Sequence, residues 1–392
     1  MLATRFANRG RMLATCSDIG GALLVTRSGN GGRMLVTRSA NGGKMLAACS
    51  GIRGVSLVSR FANRHEMPAT RSANRGRMPA GHSALARAPS RLLPPADPPQ
   101  SPEAPMSDTR DLPGWAVETL HADHAQALRV AALLYDSETD HQRLRVFRNP
   151  TFGRVLTLDG VVQVTEADEF IYHEMLVHVP VFAHGAVKRA LIIGGGDGGM
   201  AREMLRHTSV EQVVMVEIDA GVVEFSKTYL PGISAGAFDD PRLNLVIADG
   251  ADFIRNGDDT FDVIVVDSTD PVGPGEVLFT DTFYGHAKRR LNPGGILVTQ
   301  NGVPFMQPVE LQGTMRAFKA LFPDWTCYLA TVPTYAGGPM AFGWGCLGEA
   351  RHTPLEVLKS RAAAAGIETR YYTPEVHQAA FALPGYVSKL LP

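Results

Sequence analysis

The chain has 392 residues, 45% hydrophobic and 20% charged, an ordinary globular composition with room for two or more domains. Its formal charge of −1 hides a split: residues 1–105 carry 15 Lys and Arg against 4 Asp and Glu, a net +11, and the remainder carries 23 against 35, a net −12. An acidic body repels nucleic-acid phosphates and favours small cationic ligands, so no nucleic-acid partner is expected.

Cut into elevens from Leu2, the N-terminus reads LATRFANRGRM, LATCSDIGGAL, LVTRSGNGGRM, LVTRSANGGKM and so on to PATRSANRGRM, ending at Met78. An eleven-residue period can specify a right-handed coiled coil. Here each unit has too few apolar positions for a seam, and most carry Gly and Asn in the middle. The segment cannot bury enough apolar surface to offset chain entropy, so a disordered repeat is expected. A Pro-rich stretch from Arg91 to Pro105 leads to Met106. Three readings stand for residues 1–105: translated repeat upstream of a true start at Met106, disordered tail, or Arg- and Ser-rich transit peptide.

Residues 106–170 are expected to form a small antiparallel β domain. Arg143 to Val164 is β-rich and broken by turn signals at Asn149-Pro150 and Asp159-Gly160. Glu166 to Val179 reads as a helix. Over 171–392 short apolar runs alternate with helical segments. Strands are expected at Ala190–Ile193, Gln212–Ile218, Leu243–Ile247, Phe261–Val266 and Ile296–Thr299, the last after an Asn292-Pro293-Gly294-Gly295 turn. Such alternation predicts an α/β domain with a mostly parallel sheet, which binds ligands beyond the carboxyl ends of its strands. Four cysteines without CxxC spacing argue against a disulfide framework. No apolar run approaches the roughly 18 residues that span a bilayer. A soluble, cytoplasmic protein is the expectation.

The strand ends carry the chemistry. Gly194 to Gly199, with Asp197 among the glycines, opens a helix after the first strand and lets backbone approach a ligand. Glu217 ends the second strand about twenty residues on, the spacing of a carboxylate that accepts from ribose hydroxyls. Asp219 beside it could cap the next helix. Asp249-Gly250 ends the third strand, either reading an adenine edge or making a simple turn. Asp267-Ser268-Thr269-Asp270 ends the fourth, and two carboxylates on a Pro- and Gly-stiffened loop are costly unless a cation compensates them. Four successive strands thus deliver acids to one rim. The implied ligand has an adenosine end and a cationic end. No His, Cys and Asp set has metal-ligand spacing, so no metal is expected. His121, His124 and His141 precede the main sheet and are expected at the surface or in structural roles.

LDGVVQVTEADEFIYHEML, LIIGGGDGGMARE, VEIDAGVVEF, DDPRLNLVIADG, VDSTDPVGPGEVLFT and LNPGGILVTQNG together resemble the spermidine synthase family of the bacterial type, over Trp115 to Leu391. The resemblance implies a β-stranded N-terminal domain on a methyltransferase-like Rossmann domain. It also implies transfer of the aminopropyl group of decarboxylated S-adenosylmethionine, a co-substrate rather than a prosthetic group, to putrescine. It places Gln142, Glu217, Asp249, Gly250 and Pro274 around the nucleoside. Tyr172, His173, Asp197, Asp267, Ser268, Thr269, Asp270 and Tyr335 would line the amine channel, with Asp267 as proton acceptor. Relatives form homodimers or homotetramers. The rivals are an S-adenosylmethionine-dependent N-methyltransferase, an aminopropyltransferase with cadaverine, agmatine or spermidine as acceptor, and a non-catalytic polyamine-binding protein.

Overall fold

The computed structural model describes residues 114–392 except 140 and 272, with backbone alone at 273 and 274, and five short upstream strands. These are β1 (Phe6–Asn8), β2 (Arg11–Thr15), β3 (Ala22–Thr26), β4 (Met34–Val36) and β5 (Ala47–Cys49). β1, β2 and β3 pair antiparallel, as do β4 and β5. Beyond those strands, the expectation that residues 1–105 lack a fold lies outside the described residues. The chain divides into two compact units, Met1–Pro98 and Pro99–Pro392.

The second unit begins with antiparallel strands. β6 (Trp115–His121) and β7 (His124–Arg129) form a hairpin, while β8 (Ala132–Glu138), β9 (Arg143–Asn149), β10 (Gly153–Leu158) and β11 (Val161–Thr165) form a four-stranded sheet. Asp159, at φ 49°, and Gly160, at φ 85°, make the tight β10–β11 turn that the Asp-Gly pair predicts. Alternate residues of β9, Leu144 and Val146, are buried with Leu156 and Val164 against α3, α4 and their junction, through Val222, Phe225, Leu230 and Ile233. Here α1 is Glu169–His184, α2 Gly199–Leu205, α3 Ala220–Tyr229 and α4 Pro231–Ser234.

The main sheet contains β12 (Arg189–Gly194), β13 (Gln212–Glu217), β14 (Leu243–Ile247), β15 (Phe261–Asp267), β16 (Leu291–Gln300), β17 (Asp324–Ala330) and β18 (Met340–Cys346). Its order is β14-β13-β12-β15-β16-β18-β17, with the first five parallel and the last two antiparallel. Each face is covered by helices, so central strands such as Val263–Val266 are buried throughout. The remaining helices are α5 (Gly250–Asn256), α6 (Asp281–Arg289), α7 (Pro308–Leu321), α8 (Leu355–Ala365), α9 (Pro374–Ala380) and α10 (Gly385–Ser388).

Three local expectations change. Asn292 to Gly295 does not precede β16 but lies within it as an irregularity, because Phe261 pairs with Leu291 and Val263 with Ile296. α1 starts later than expected and runs past Pro180 to His184, where Gly185 closes it in the left-handed conformation. A proline costs a helix one hydrogen bond, and burial of Val177, Val179, Val181 and Phe182 around it offsets that loss. The β17–β18 hairpin had no sequence counterpart: β18 is buried at every position and shows no alternation.

Candidate active site

The sheet reverses its winding between β12 and β15, and the register there sets Gly194 directly against Asp267. Gly194 sits at φ 86°, and a Cβ on it would overlap the Asp267 carbonyl. The glycine therefore lets the loop after β12 lie against the carboxyl end of β15. A cavity of about 370 Å³ opens at this point. Its walls come from the ends of β12 to β15, the start of α1, and the β6, β10 and β11 region. Twelve of the thirteen residues expected at the site line it, and the thirteenth, Pro274, has its backbone in the 3-10 turn Gly273–Phe279.

Around Glu217 and Asp249 the acids are tied to backbone amides. Asp219 caps α3 by accepting from the Gly221 N–H at 2.8 Å, and it also accepts from Thr139 Oγ1 at 2.8 Å and Gln142 Nε2 at 3.2 Å. Glu217 Oε1 accepts from the Asp219 N–H at 2.9 Å, leaving Oε2 uncommitted. Burial, with the charges of Asp219 and Asp267, pushes the Glu217 carboxyl up to about 7. Asp249 caps α5, with Oδ1 accepting from the Ala251 and Asp252 N–H groups at 2.7 and 3.0 Å. Oδ1 thus makes the turn, and Asp249 also lines the cavity.

Around Asp267 the acids face one another. Tyr172 Oη donates to Asp267 Oδ1 at 2.5 Å. Burial pushes the Asp267 carboxyl up to about 6, helped by the charge of Asp197 and opposed by His173 and the Tyr172 hydroxyl. The Tyr172 phenol is pushed well above its ordinary value by burial and by Asp267, so it remains a donor. Asp270 is also raised by burial, against the pull of a 2.7 Å bond from Gln307 Nε2. Tyr335 packs edge-on to Tyr172 at 6.0 Å between centroids and donates to the Gln163 carbonyl at 2.5 Å. Ser268 and Thr269 complete the wall.

His173 is 1% exposed, with Nδ1 2.5 Å from Glu169 Oε2 and Nε2 3.4 Å from Asp197 Oδ2. Burial would depress the imidazolium, but the two carboxylates hold its pKa up at about 10. Both ring nitrogens are thus committed, and His173 acts on the cavity by way of Asp197. Against the cost of burial, His173 and the Gly199 N–H (2.7 Å) hold the Asp197 carboxyl below the usual range.

His124 and His141 are exposed, as expected, and His121 is partly buried; all three also border the cavity, because the β6–β7 hairpin and the chain before β9 form part of its wall. Glu118, Asp168, Gln300 and Gln307 line it as well and were not anticipated. Glu118 shares a strand face with Ala116 and Leu120, an acid among apolar positions, which is a readable signal. Asp168 is buried, accepting from Thr165 Oγ1 at 2.6 Å and from the Thr334 N–H at 2.8 Å. It ties the Tyr335 loop to the start of α1, and that bond spans 166 positions, beyond the reach of local pattern.

The Spermidine synthase tetramerisation domain matches residues 114–166 and the Spermine/spermidine synthase domain residues 169–349. A polyamine aminopropyltransferase of Ruegeria sp. (strain TM1040) is 70% identical over 279 residues, 71% of this chain and 98% of that protein. A polyamine aminopropyltransferase of Pseudomonas syringae pv. tomato is 58% identical over 271 residues, 69% of this chain and 95% of that protein. Among solved structures, a spermidine synthase in complex with the transition-state analogue AdoDATO matches with a TM-score of 0.67 at 39% identity, over 71% of this chain and 94% of that one. The spermidine synthase of Thermotoga maritima matches with a TM-score of 0.65 at 37% identity, over 71% and 93%. The cavity of opposed acids at the sheet's switch point thus lies in a chain that belongs to the spermidine synthase family and is a polyamine aminopropyltransferase.

Proposed function

We propose that the enzyme moves the aminopropyl group of decarboxylated S-adenosylmethionine to putrescine, giving spermidine and 5'-methylthioadenosine. The observation that carries this reading is Asp267, raised by burial and held by Tyr172 where the glycine loop meets the acid-lined end of the cavity. In this reading Gln142, Glu217, Asp249, Gly250 and Pro274 hold the nucleoside. Tyr172, Asp197, Asp267, Ser268, Thr269, Asp270 and Tyr335 hold the aminopropyl group and the acceptor, and His173 keeps Asp197 charged.

The acceptor amine attacks the carbon beside the donor sulfonium in line. The C–N bond forms as the C–S bond breaks, its electron pair neutralises sulfur, and the amine proton passes to Asp267. An alkylamine of ordinary pKa costs about 4–5 kcal/mol to deprotonate at neutral pH, so a carboxylate that takes the proton during attack removes much of that barrier. A carboxyl near 6 is ionised at neutral pH yet basic enough to accept. Holding both partners in line supplies the rest. Asp197, kept ionised, favours a donor tail that ends in a bare ammonium and repels the carboxylate of intact S-adenosylmethionine, which argues against methyl transfer.

The same reading takes residues 106–170 as the β domain, 171–392 as the catalytic domain, and residues 1–105 as dispensable. It places the enzyme in the cytoplasm as a homodimer or homotetramer; among the described residues no helix is long and apolar enough to cross a membrane. Initial rates with putrescine, cadaverine, agmatine and spermidine at matched concentrations test the acceptor. Putrescine should rank first, and a last place for it overturns the choice.

A further inference from the structure

Two glutamines, Gln300 at the end of β16 and Gln307 just before α7, grip the acidic loop of the site. Gln300 Nε2 donates to the Thr269 carbonyl at 3.2 Å, and its Oε1 accepts from the Gly302 N–H at 2.9 Å. Gln307, on the cavity wall, is fixed at both ends of its amide. Its Oε1 accepts from the Val303 N–H at 3.0 Å, which turns the NH2 toward two carboxylates: Asp270 Oδ1 at 2.7 Å and Glu310 Oε2 at 3.4 Å. The backbone is shaped for this, since Gly302 lies at φ 59° and a Cβ there would overlap Gln307 Oε1. Glu310 Oε1 is buried and has no hydrogen-bond partner among the described residues. A neutral amide thus joins a carboxylate on the cavity wall to a second one buried behind it.

We propose that Gln307 and Glu310 are positioning residues for the acceptor: Gln307 fixes Asp270 so that its second oxygen faces the cavity, and Glu310 supplies a reserve of negative charge behind it for the acceptor's far cationic end. This rests on the assignment of Asp270 to the acceptor made above. An arriving ammonium offsets the repulsion between the two acids, so acceptor binding and Glu310 ionisation favour each other. Burial and the Asp270 charge push the Glu310 carboxyl up to about 8, within reach of ordinary assays. The other titratable groups around the pair are Tyr284 on α6, which feels Glu310, and Glu118 and His121 on β6 with Tyr335 after β17, which feel Asp270.

The test uses the full-length enzyme, saturating donor and whichever diamine ranks first, from pH 6.5 to 9.5. In the wild type the diamine KM should fall roughly threefold as pH rises through 8, the worth of one partly screened charge. Glu310→Gln should abolish that fall while leaving kcat and the donor KM unchanged. Gln307→Met, which keeps the side-chain length, should raise the diamine KM by about tenfold through loss of a charge-assisted hydrogen bond, with kcat nearly unchanged. A Glu310→Gln profile that superimposes on the wild type overturns the inference, as does a Gln307→Met variant that loses kcat and both KM values together. Failure of the acceptor assignment reads out separately, as Asp270→Asn with an unaltered diamine KM.

Discussion

The two ends of the cavity use the same residue type in opposite ways. At the nucleoside end, Asp219 and Asp249 are spent on helix N-termini, and Glu217 gives one oxygen to the backbone. Asp219 has both oxygens in use, and Asp249 and Glu217 each keep one oxygen outside these bonds. At the amine end, Asp267 and Asp270 are crowded against Asp197, Tyr172 and Glu310, and burial raises both. Backbone hydrogen bonds hold the first end before ligand arrives, although burial and neighbouring charge raise Glu217 there too. The second sets carboxylates against one another in a way that a cation relieves. A hydroxyl-bearing ligand is met by preformed hydrogen bonds, and a charged one by an electrostatic debt.

The largest expected effect breaks the amine end at its centre. Asp267→Asn should lower kcat by about 10²–10⁴, the usual worth of a general base, while calorimetric binding of methylthioadenosine stays near normal; near-normal turnover would remove Asp267 from its role. Next come two substitutions that should separate the ends. Asp270→Asn should raise the acceptor KM by about tenfold to a hundredfold and spare the donor, whereas Glu217→Gln should raise the donor KM by about tenfold and spare the acceptor. Steady-state kinetics with each substrate varied in turn checks both, and equal effects on the two KM values would erase the distinction between the ends.

A smaller effect concerns stability. The folded-state pKa of Asp267, about 6, is raised above that of the unfolded chain. Its contribution to stability is therefore fully present at low pH, below the ordinary carboxylate range, and is lost as pH rises through 6. Asparagine, always neutral, escapes that loss. Asp267→Asn should match the wild-type Tm near pH 4 and exceed it near pH 8, by on the order of 1–2 kcal/mol or roughly 2–8 °C. Equal Tm values at pH 8 would show that no repulsion is stored. Smallest of all, a chain beginning at Met106 should keep full activity in the same assay, and loss of folding there would give the repeat a structural role.

Much of this site was legible because the acids sit at strand ends, where local pattern and spacing place them. Gly194 to Asp197, Glu217, Asp249 and Asp267 with Asp270 each follow an apolar run, and the parallel sheet brings those ends to one rim. What escaped depends on pairing across long sequence distances. The β18 strand, buried at every position, shows neither alternation nor helical period, and Asp168 meets Thr334 only once the chain has folded. That the histidines of the β6–β7 hairpin and before β9 border the cavity escaped for a similar reason. Nothing local says which edge of a small β unit faces a cavity. The resemblance named the family and the residues, but the hydrogen bond from Tyr172 to Asp267 and the Gln307 bridge come from geometry alone.

The pairing of Gly194 with Asp267 also bears on precision. In the proposed reading, the segment that receives the donor and the base that serves the acceptor sit opposite each other on neighbouring strands, about 4.8 Å apart. Collective motions of the sheet then carry donor and base as a single body, and their separation varies only as much as a strand spacing can stretch. Alignment for displacement is thereby inherited from the stiffest part of the molecule, and the softer loops are left to admit and release ligands.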